Sequence, residues 1–300
     1  MNKACRRVLA ALILLFSFLL FATNPTKAAG RIECTSASSR ILKHPVRYCA
    51  LLPPSYDSDK TRLYPVLYYL HGLGENEQMF VSSDGWQLIE DLRDQGRIGE
   101  FLIVTPDADR SFYINSRDGR MSYENFFIQD FLPYIEHHYR VQAGRAHRGI
   151  AGISMGGYGA LRLAFRYPQL FSSVSVHSAA LLEKLPAIAV SNPNQSQVTR
   201  MMGTAFGSPP DFAFWERNTP FALAKSSHPN GLKIYFDCGT SDEYGFNAGA
   251  QQFHDLLTAR GIPHEFHLYP GGHDWQYFVA HLPASLEFES NAFGQSAKTK

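Results

Sequence analysis

The stretch Gly152-Ile153-Ser154-Met155-Gly156 constrains this chain more than any other. A Gly-x-Ser-x-Gly run presents its serine only when a strand enters it, a sharp turn carries the serine, and a helix leaves it. The flanks read that way. Ala146-His147-Arg148-Gly149-Ile150-Ala151 is a short apolar-leaning stretch expected to be a buried strand, and Gly157 to Tyr167 reads as a helix stopped by Pro168. Such a turn puts Ser154 in a strained backbone conformation with its hydroxyl clear of the chain. Strand and helix then pass so close that neighbouring residues must be small, which Gly152, Gly156 and Gly157 satisfy.

The rest of the chain supplies a sheet for that turn. Residues 31–42 and 46–53 read as an antiparallel pair turning at His44-Pro45. Tyr64 to Leu70 has the continuous apolar character of a central parallel strand, and Phe101 to Thr105 is another buried strand stopped by Pro106. Further strands are expected at 172–178, 232–238 and 264–269. Helices are expected at 84–96 (apolar at Trp86, Ile89 and Leu92) and at 246–260. A long helix from a Ser122 cap to about Tyr139 carries Phe126, Phe127, Phe131, Ile135 and Tyr139 on one stripe. Alternation of this kind argues for an α/β fold, a mostly parallel sheet covered on both faces, with ligands beyond the carboxyl ends of the strands. Residues 180–230 are irregular and read as an excursion over that edge within a single catalytic domain spanning 29–300.

Residues 1–28 have the form of a secretory signal. Lys3, Arg6 and Arg7 precede an apolar run from Val8 to Ala22, and Thr26-Lys27-Ala28 ends in a small-residue cleavage site. The run is short for a bilayer span, so no stable membrane anchor is expected after cleavage, and the destination is periplasm or medium. The formal charge of +1 gives no reason to expect a nucleic-acid partner. In an oxidising compartment Cys34 and Cys49, on the first two strands, could be bridged or could be two free thiols; Cys238 is left unpaired. No Cys/His cluster has zinc spacing, and neither metal nor cofactor is expected.

A serine hydroxyl needs a base to take its proton and an acid to orient that base. When the nucleophile sits on a strand–turn–helix elbow, acid and base follow it in the order Ser, Asp/Glu, His. His273, in the loop Pro270-Gly271-Gly272-His273 just after the final strand, is the best-placed base; His264 and His267 lie in the strand and His281 in a terminal helix. After the penultimate strand, Asp242 is preferred as acid, with Glu243 second and Asp237 third, since Asp237 falls at the strand end. The oxyanion needs preorganised N–H donors, expected from Met155 at the start of the elbow helix and Leu73 in the loop after the Tyr64–Leu70 strand. Phe112, Tyr113, Tyr123, Trp215 and Trp275 could line an acyl pocket or simply pack in the core; Tyr123 and Trp275 are the substrate contacts chosen. Glu75 and Asn76 could shape the entrance or face solvent.

Five motifs in order, Leu70-His71-Gly72-Leu73-Gly74, Tyr123-Glu124-Asn125-Phe126, Ala151 to Gly157, Cys238-Gly239-Thr240-Ser241-Asp242 and Gly271-Gly272-His273-Asp274, make residues 45–285 resemble an esterase family of the α/β-hydrolase fold. That family holds feruloyl and acetylxylan esterases, S-formylglutathione hydrolases, enterochelin esterases and mycolyltransferases. The resemblance is strongest to the secreted feruloyl-esterase-like branch. It implies Ser154, Asp242 and His273 as a triad and Leu73 and Met155 as oxyanion donors. The expected function is a secreted serine carboxylesterase acting on short-chain or aromatic acyl esters of a small molecule or saccharide. Acyl transfer to a sugar hydroxyl through the same triad, and a non-enzymatic binding role on a hydrolase scaffold, are the alternatives.

Overall fold

The apolar runs form one sheet. A computed structural model of the chain describes residues 29–184 and 197–295. The expected signal (1–28) and part of the 180–230 excursion lie outside those residues. Among the described residues there are eight strands: β1 (Arg31–Ser38), β2 (Pro45–Leu52), β3 (Val66–Leu70), β4 (Leu102–Pro106), β5 (Arg148–Ile153), β6 (Ser173–His177), β7 (Lys233–Gly239) and β8 (Glu265–Tyr269). Their spatial order is β1-β2-β4-β3-β5-β6-β7-β8. β1 and β2 pair antiparallel, β2 runs antiparallel to β4, and every later pairing is parallel. All residues of β3, β4, β5 and β6 are buried, as strands covered on both faces must be.

The helices divide between the two faces by strand alternation. Val66, Tyr68 and Leu70 of β3 point to one side, Leu67 and Tyr69 to the other. The first side is covered by α2 (123–138), α3 (Ser154–Arg166) and α7 (Phe246–Ala259), through Phe126, Phe131, Leu161, Phe165 and Phe253. The second is covered by α1 (Gly85–Asp94) and α8 (Trp275–Ala292), through Ile89, Leu92, Leu282 and Leu286. The irregular excursion contains α4 (Gln197–Phe206), α5 (Phe212–Asn218) and α6 (Pro220–Ser226), which add Met202, Phe206, Trp215 and Phe221 to the first core.

Three local features depart from or complete the sequence reading. Ser122 starts α2, but its hydroxyl makes no cap hydrogen bond; its backbone is instead held in a bridge to Asn115. The middle of α2, Phe127–Phe131, is a π turn, and Asp130 within it accepts hydrogen bonds from the Ser39 hydroxyl and the Arg40 and Ile41 N–H groups. That carboxylate docks the β1–β2 turn onto the helix. Cys34 and Cys49 face each other in the β1–β2 register and are joined by a disulfide, so the edge strand is tied to its neighbour. Cys238 is free and buried.

One buried carboxyl sets a pH dependence for the fold. Glu289 of α8 is fully enclosed under the sheet, where it accepts a hydrogen bond from Ser173 of β6. Burial pushes its carboxyl from 4.5 up to about 7, because the charged form loses its water. The folded state then binds a proton that the unfolded chain releases, so Glu289's contribution to stability is fully present below pH 4.5 and is lost as pH rises from 4.5 through 7. Glu289→Gln should stabilise the protein at pH 8, by roughly 2–3 kcal/mol more than at pH 5, in urea unfolding at the two values. A gain independent of pH would contradict the assignment.

Candidate active site

At the carboxyl end of β5 the chain turns through Ser154, whose φ is +52, straight into α3. This is the strained left-handed geometry expected at position 154, and it is held by close backbone packing. A Cβ on Gly156 would lie 2.0 Å from the Leu70 carbonyl oxygen, and one on Gly152 2.6 Å from the Gly156 backbone. Met155 follows in the first turn of α3, where amide hydrogens have no intrahelical acceptor.

Two loops from the neighbouring strand ends meet the serine. His273, after β8, has Nε2 2.9 Å from Ser154 Oγ and Nδ1 2.8 Å from Asp242 Oδ2. With the ring proton on Nδ1, that nitrogen donates to the carboxylate and Nε2 is left to accept from the serine hydroxyl. Asp242, after β7, is buried, and its other oxygen accepts the Tyr244 and Phe246 N–H groups. The Cys238 thiol, pushed up to about 12 mainly by burial, donates weakly to Asp242 Oδ2 from 3.6 Å. Tyr244 and Phe246 also pack edge-on against the His273 ring.

The two other carboxylates weighed for the acid sit elsewhere. Glu243 accepts the His273 backbone N–H and so holds the loop, not the ring. Asp237 lies under the sheet, where it accepts from the Tyr277 and Tyr235 hydroxyls and contacts His177 Nδ1 at 2.8 Å. Burial opposes its ionisation, but the His177 ring and the two hydroxyls hold it below the usual carboxylate range. His177 Nε2 in turn meets the Ser285 hydroxyl at 2.7 Å. This Ser–His–Asp set is fully buried. Asp274 caps α8 by accepting the Tyr277 N–H.

The loop after β3 is fixed from several sides. His71 is fully buried, and burial lowers its basicity, keeping the ring neutral. Its Nε2 accepts the Ala108 N–H, so Nδ1–H donates to the Gly72 carbonyl. Tyr113 donates its hydroxyl to the His71 carbonyl. Leu73, Met155 and Ser154 border one cleft of about 530 Å³, counting its open mouth, whose remaining walls include Phe112, Ala180, Leu182, Met202, Trp215 and Phe246.

The two substrate contacts chosen from sequence do not line this cleft. Tyr123 is buried against Tyr113 and Phe126 and spends its hydroxyl on the Asp107 carbonyl. Trp275 packs against the core on the α1/α8 face. Both are large apolar rings with a nearby core to fill, which outweighs their closeness in sequence to site motifs. Phe112 and Trp215 do line it, while Leu182, Met201, Met202, Tyr244 and Phe246 were not anticipated. Tyr244 and Phe246 follow Asp242 by two and four residues, and that spacing was the signal available for them.

A mostly parallel sheet with a serine elbow on β5, an acidic residue after β7 and a histidine after β8 is the α/β-hydrolase fold. Residues 39–288 match the family model described as "Putative esterase", and the chain belongs to that family. An esterase of Mycobacterium tuberculosis strain H37Rv is 33% identical over 243 residues, 74% of this chain and 51% of the relative. The chain thus spans about half the length of that curated relative. Mouse S-formylglutathione hydrolase is 27% identical over 267 residues, 81% of this chain and 87% of the relative. A solved ferulic acid esterase superposes with a TM-score of 0.73 at 28% identity, over 88% of this chain and 99% of that one.

The geometry separates the candidate acids. Asp242→Asn should reduce kcat for ester hydrolysis by roughly 10³- to 10⁴-fold, because an amide facing Nδ1 favours the wrong tautomer. Glu243→Gln, which keeps an acceptor for the His273 N–H, should stay within about tenfold of the parent. Kinetics on a p-nitrophenyl ester decide; the opposite ranking would move the acid to Glu243.

Proposed function

We propose that the protein is a secreted serine carboxylesterase with Ser154, His273 and Asp242 as its catalytic triad. The observation that carries this reading is the His273 ring, held between Ser154 Oγ and Asp242 Oδ2 at 2.9 and 2.8 Å. His273 takes the serine proton as Oγ attacks the ester carbonyl, and Asp242 steadies the imidazolium that forms. The Leu73 and Met155 N–H groups hold the negative oxygen of the tetrahedral intermediate. His273 then protonates the departing alcohol, and water, activated by the same ring, releases the acid from the acyl-enzyme.

The cleft supports a short-chain or aromatic acyl group. Its walls are almost wholly apolar, and Phe112, Trp215 and Phe246 give flat surfaces against which an aryl ring can lie. The relatives named as esterases and the ferulic acid esterase neighbour support the same class of substrate. Secretion rests on the character of residues 1–28; among the described residues no helix is long and apolar enough to cross a membrane.

Ser154→Ala should lower hydrolysis of p-nitrophenyl acetate and butyrate by about a thousandfold or more while leaving thermal unfolding within a few degrees of the parent. Activity that survives the substitution would reject the assignment. Comparing acetyl, butyryl and feruloyl esters of one alcohol measures the acyl preference.

A further inference from the structure

The mechanism above needs the Leu73 N–H to face the cleft, and the hydrogen bonds of the loop after β3 constrain the peptide that carries it. A trans peptide is planar, with its C=O and N–H pointing in opposite directions. The Gly72 carbonyl accepts from His71 Nδ1 at 2.8 Å and from the Glu75 N–H at 3.2 Å. Held that way, the same peptide turns its Leu73 N–H away from the His71 ring and the 72–75 turn. The preceding peptide is held too: the Gly72 N–H donates to Glu75 Oε2 at 2.8 Å. Glu75 therefore closes on Gly72 twice, once through its backbone and once through its carboxylate.

The carboxylate also sits on the nucleophile's side of the loop. A Cβ built on Gly72 would lie 3.1 Å from Glu75 Oε2 and 3.5 Å from Ser154 Cβ. A side chain at position 72 would press on the Glu75 carboxylate and touch Ser154 from the same side of the Cα. Burial raises the Glu75 carboxyl, opposed by the Gly72 N–H and by the nearby His273 imidazole.

We propose that Glu75 is a positioning residue for the oxyanion hole, whose carboxylate oxygen locks the Gly72 peptide and thereby orients the Leu73 N–H. This rests on the esterase reading. Glu75 touches no reacting atom in it. Its effect should appear in the steps that carry negative charge on oxygen, not in ground-state binding of the ester.

The test compares Glu75→Ala with Glu75→Gln, which keeps an acceptor oxygen for the Gly72 N–H but drops the charge. Rates are expressed per serine titrated by a fluorophosphonate, so misfolded protein does not count. Glu75→Ala should lower kcat about ten- to a hundredfold with KM within about threefold, since an oxyanion donor is misaimed rather than removed. Phosphonylation of Ser154, which also places charge on an oxygen, should slow by a similar factor. Glu75→Gln should restore both rates to within about threefold of the parent. The inference is overturned if Glu75→Ala stays within twofold, if its loss lies in KM alone, or if Glu75→Gln is as impaired as Glu75→Ala. A parent enzyme whose Ser154 takes no label instead sinks the esterase reading; a labelled parent with an unaffected Glu75→Ala sinks only this inference.

Discussion

The contact between the Gly156 Cα and the Leu70 carbonyl oxygen is the constraint on which the working edge of the molecule depends. Where a Cβ would stand 2.0 Å from that oxygen, no side chain can be accommodated, so the start of α3 packs against the end of β3 only because residue 156 has none. That approach lets the chain reverse within one residue. The cost is Ser154 at φ +52, a conformation worth roughly 1–3 kcal/mol of strain. It persists because both flanks are over-determined. β5 is paired on both sides, and α3 is buried along almost its whole length. The strain is what lifts the hydroxyl off the chain and leaves the Met155 amide in an open first turn.

Parallel pairing then does the gathering. β3, β5, β7 and β8 all run in one direction, so the loops that follow them emerge on one edge. Leu73, Ser154, Asp242 and His273 are far apart in the chain, and they share that edge because each follows a strand end. The antiparallel β1–β2 pair lies at the far side of the sheet and contributes no side chain to the Ser154–His273–Asp242 line. It extends the sheet on the side away from β8, where the disulfide ties β1 to β2 and Asp130 holds the turn between them.

The strands, the mostly parallel sheet covered on both faces and the loops that carry Ser154, Asp242 and His273 were legible because their signals are local: continuous apolar runs, glycines at a turn, a polar loop after a strand; the strand order was not. The walls of the cleft were not, because they are assembled across distance. Leu182, Met201 and Met202 come from the irregular excursion, where the sequence reading found no period to say which side chains turn inward, and Phe112 and Trp215 were weighed only as pocket or core. Trp215 is fixed by stacking on Tyr158 of α3, a partner 57 positions earlier. Tyr123, expected at the substrate, lies outside the lining of this cleft. It belongs to a motif shared with the family, but its hydroxyl has an interior carbonyl to satisfy, and that places the ring in the core.

Two acids on one short stretch show how environment separates function from framework. Asp237 and Asp242 are five residues apart, both buried, and each contacts a histidine Nδ1 at 2.8 Å. Asp237 is inside β7, so strand alternation turns it under the sheet, where two tyrosine hydroxyls and His177 satisfy it completely. Nothing in that set reaches solvent, and a proton moved along it would have no substrate to meet. Asp242 lies beyond the strand, where two backbone amides from the start of the next element claim one oxygen and leave the other for His273. The histidine beside it meets Ser154, which borders the cleft, and its ring is flanked by Tyr244 and Phe246. The pairing is chemically the same in both places. Only the position of the carboxylate relative to the end of β7 decides that one can serve a reaction and the other can only hold the fold together.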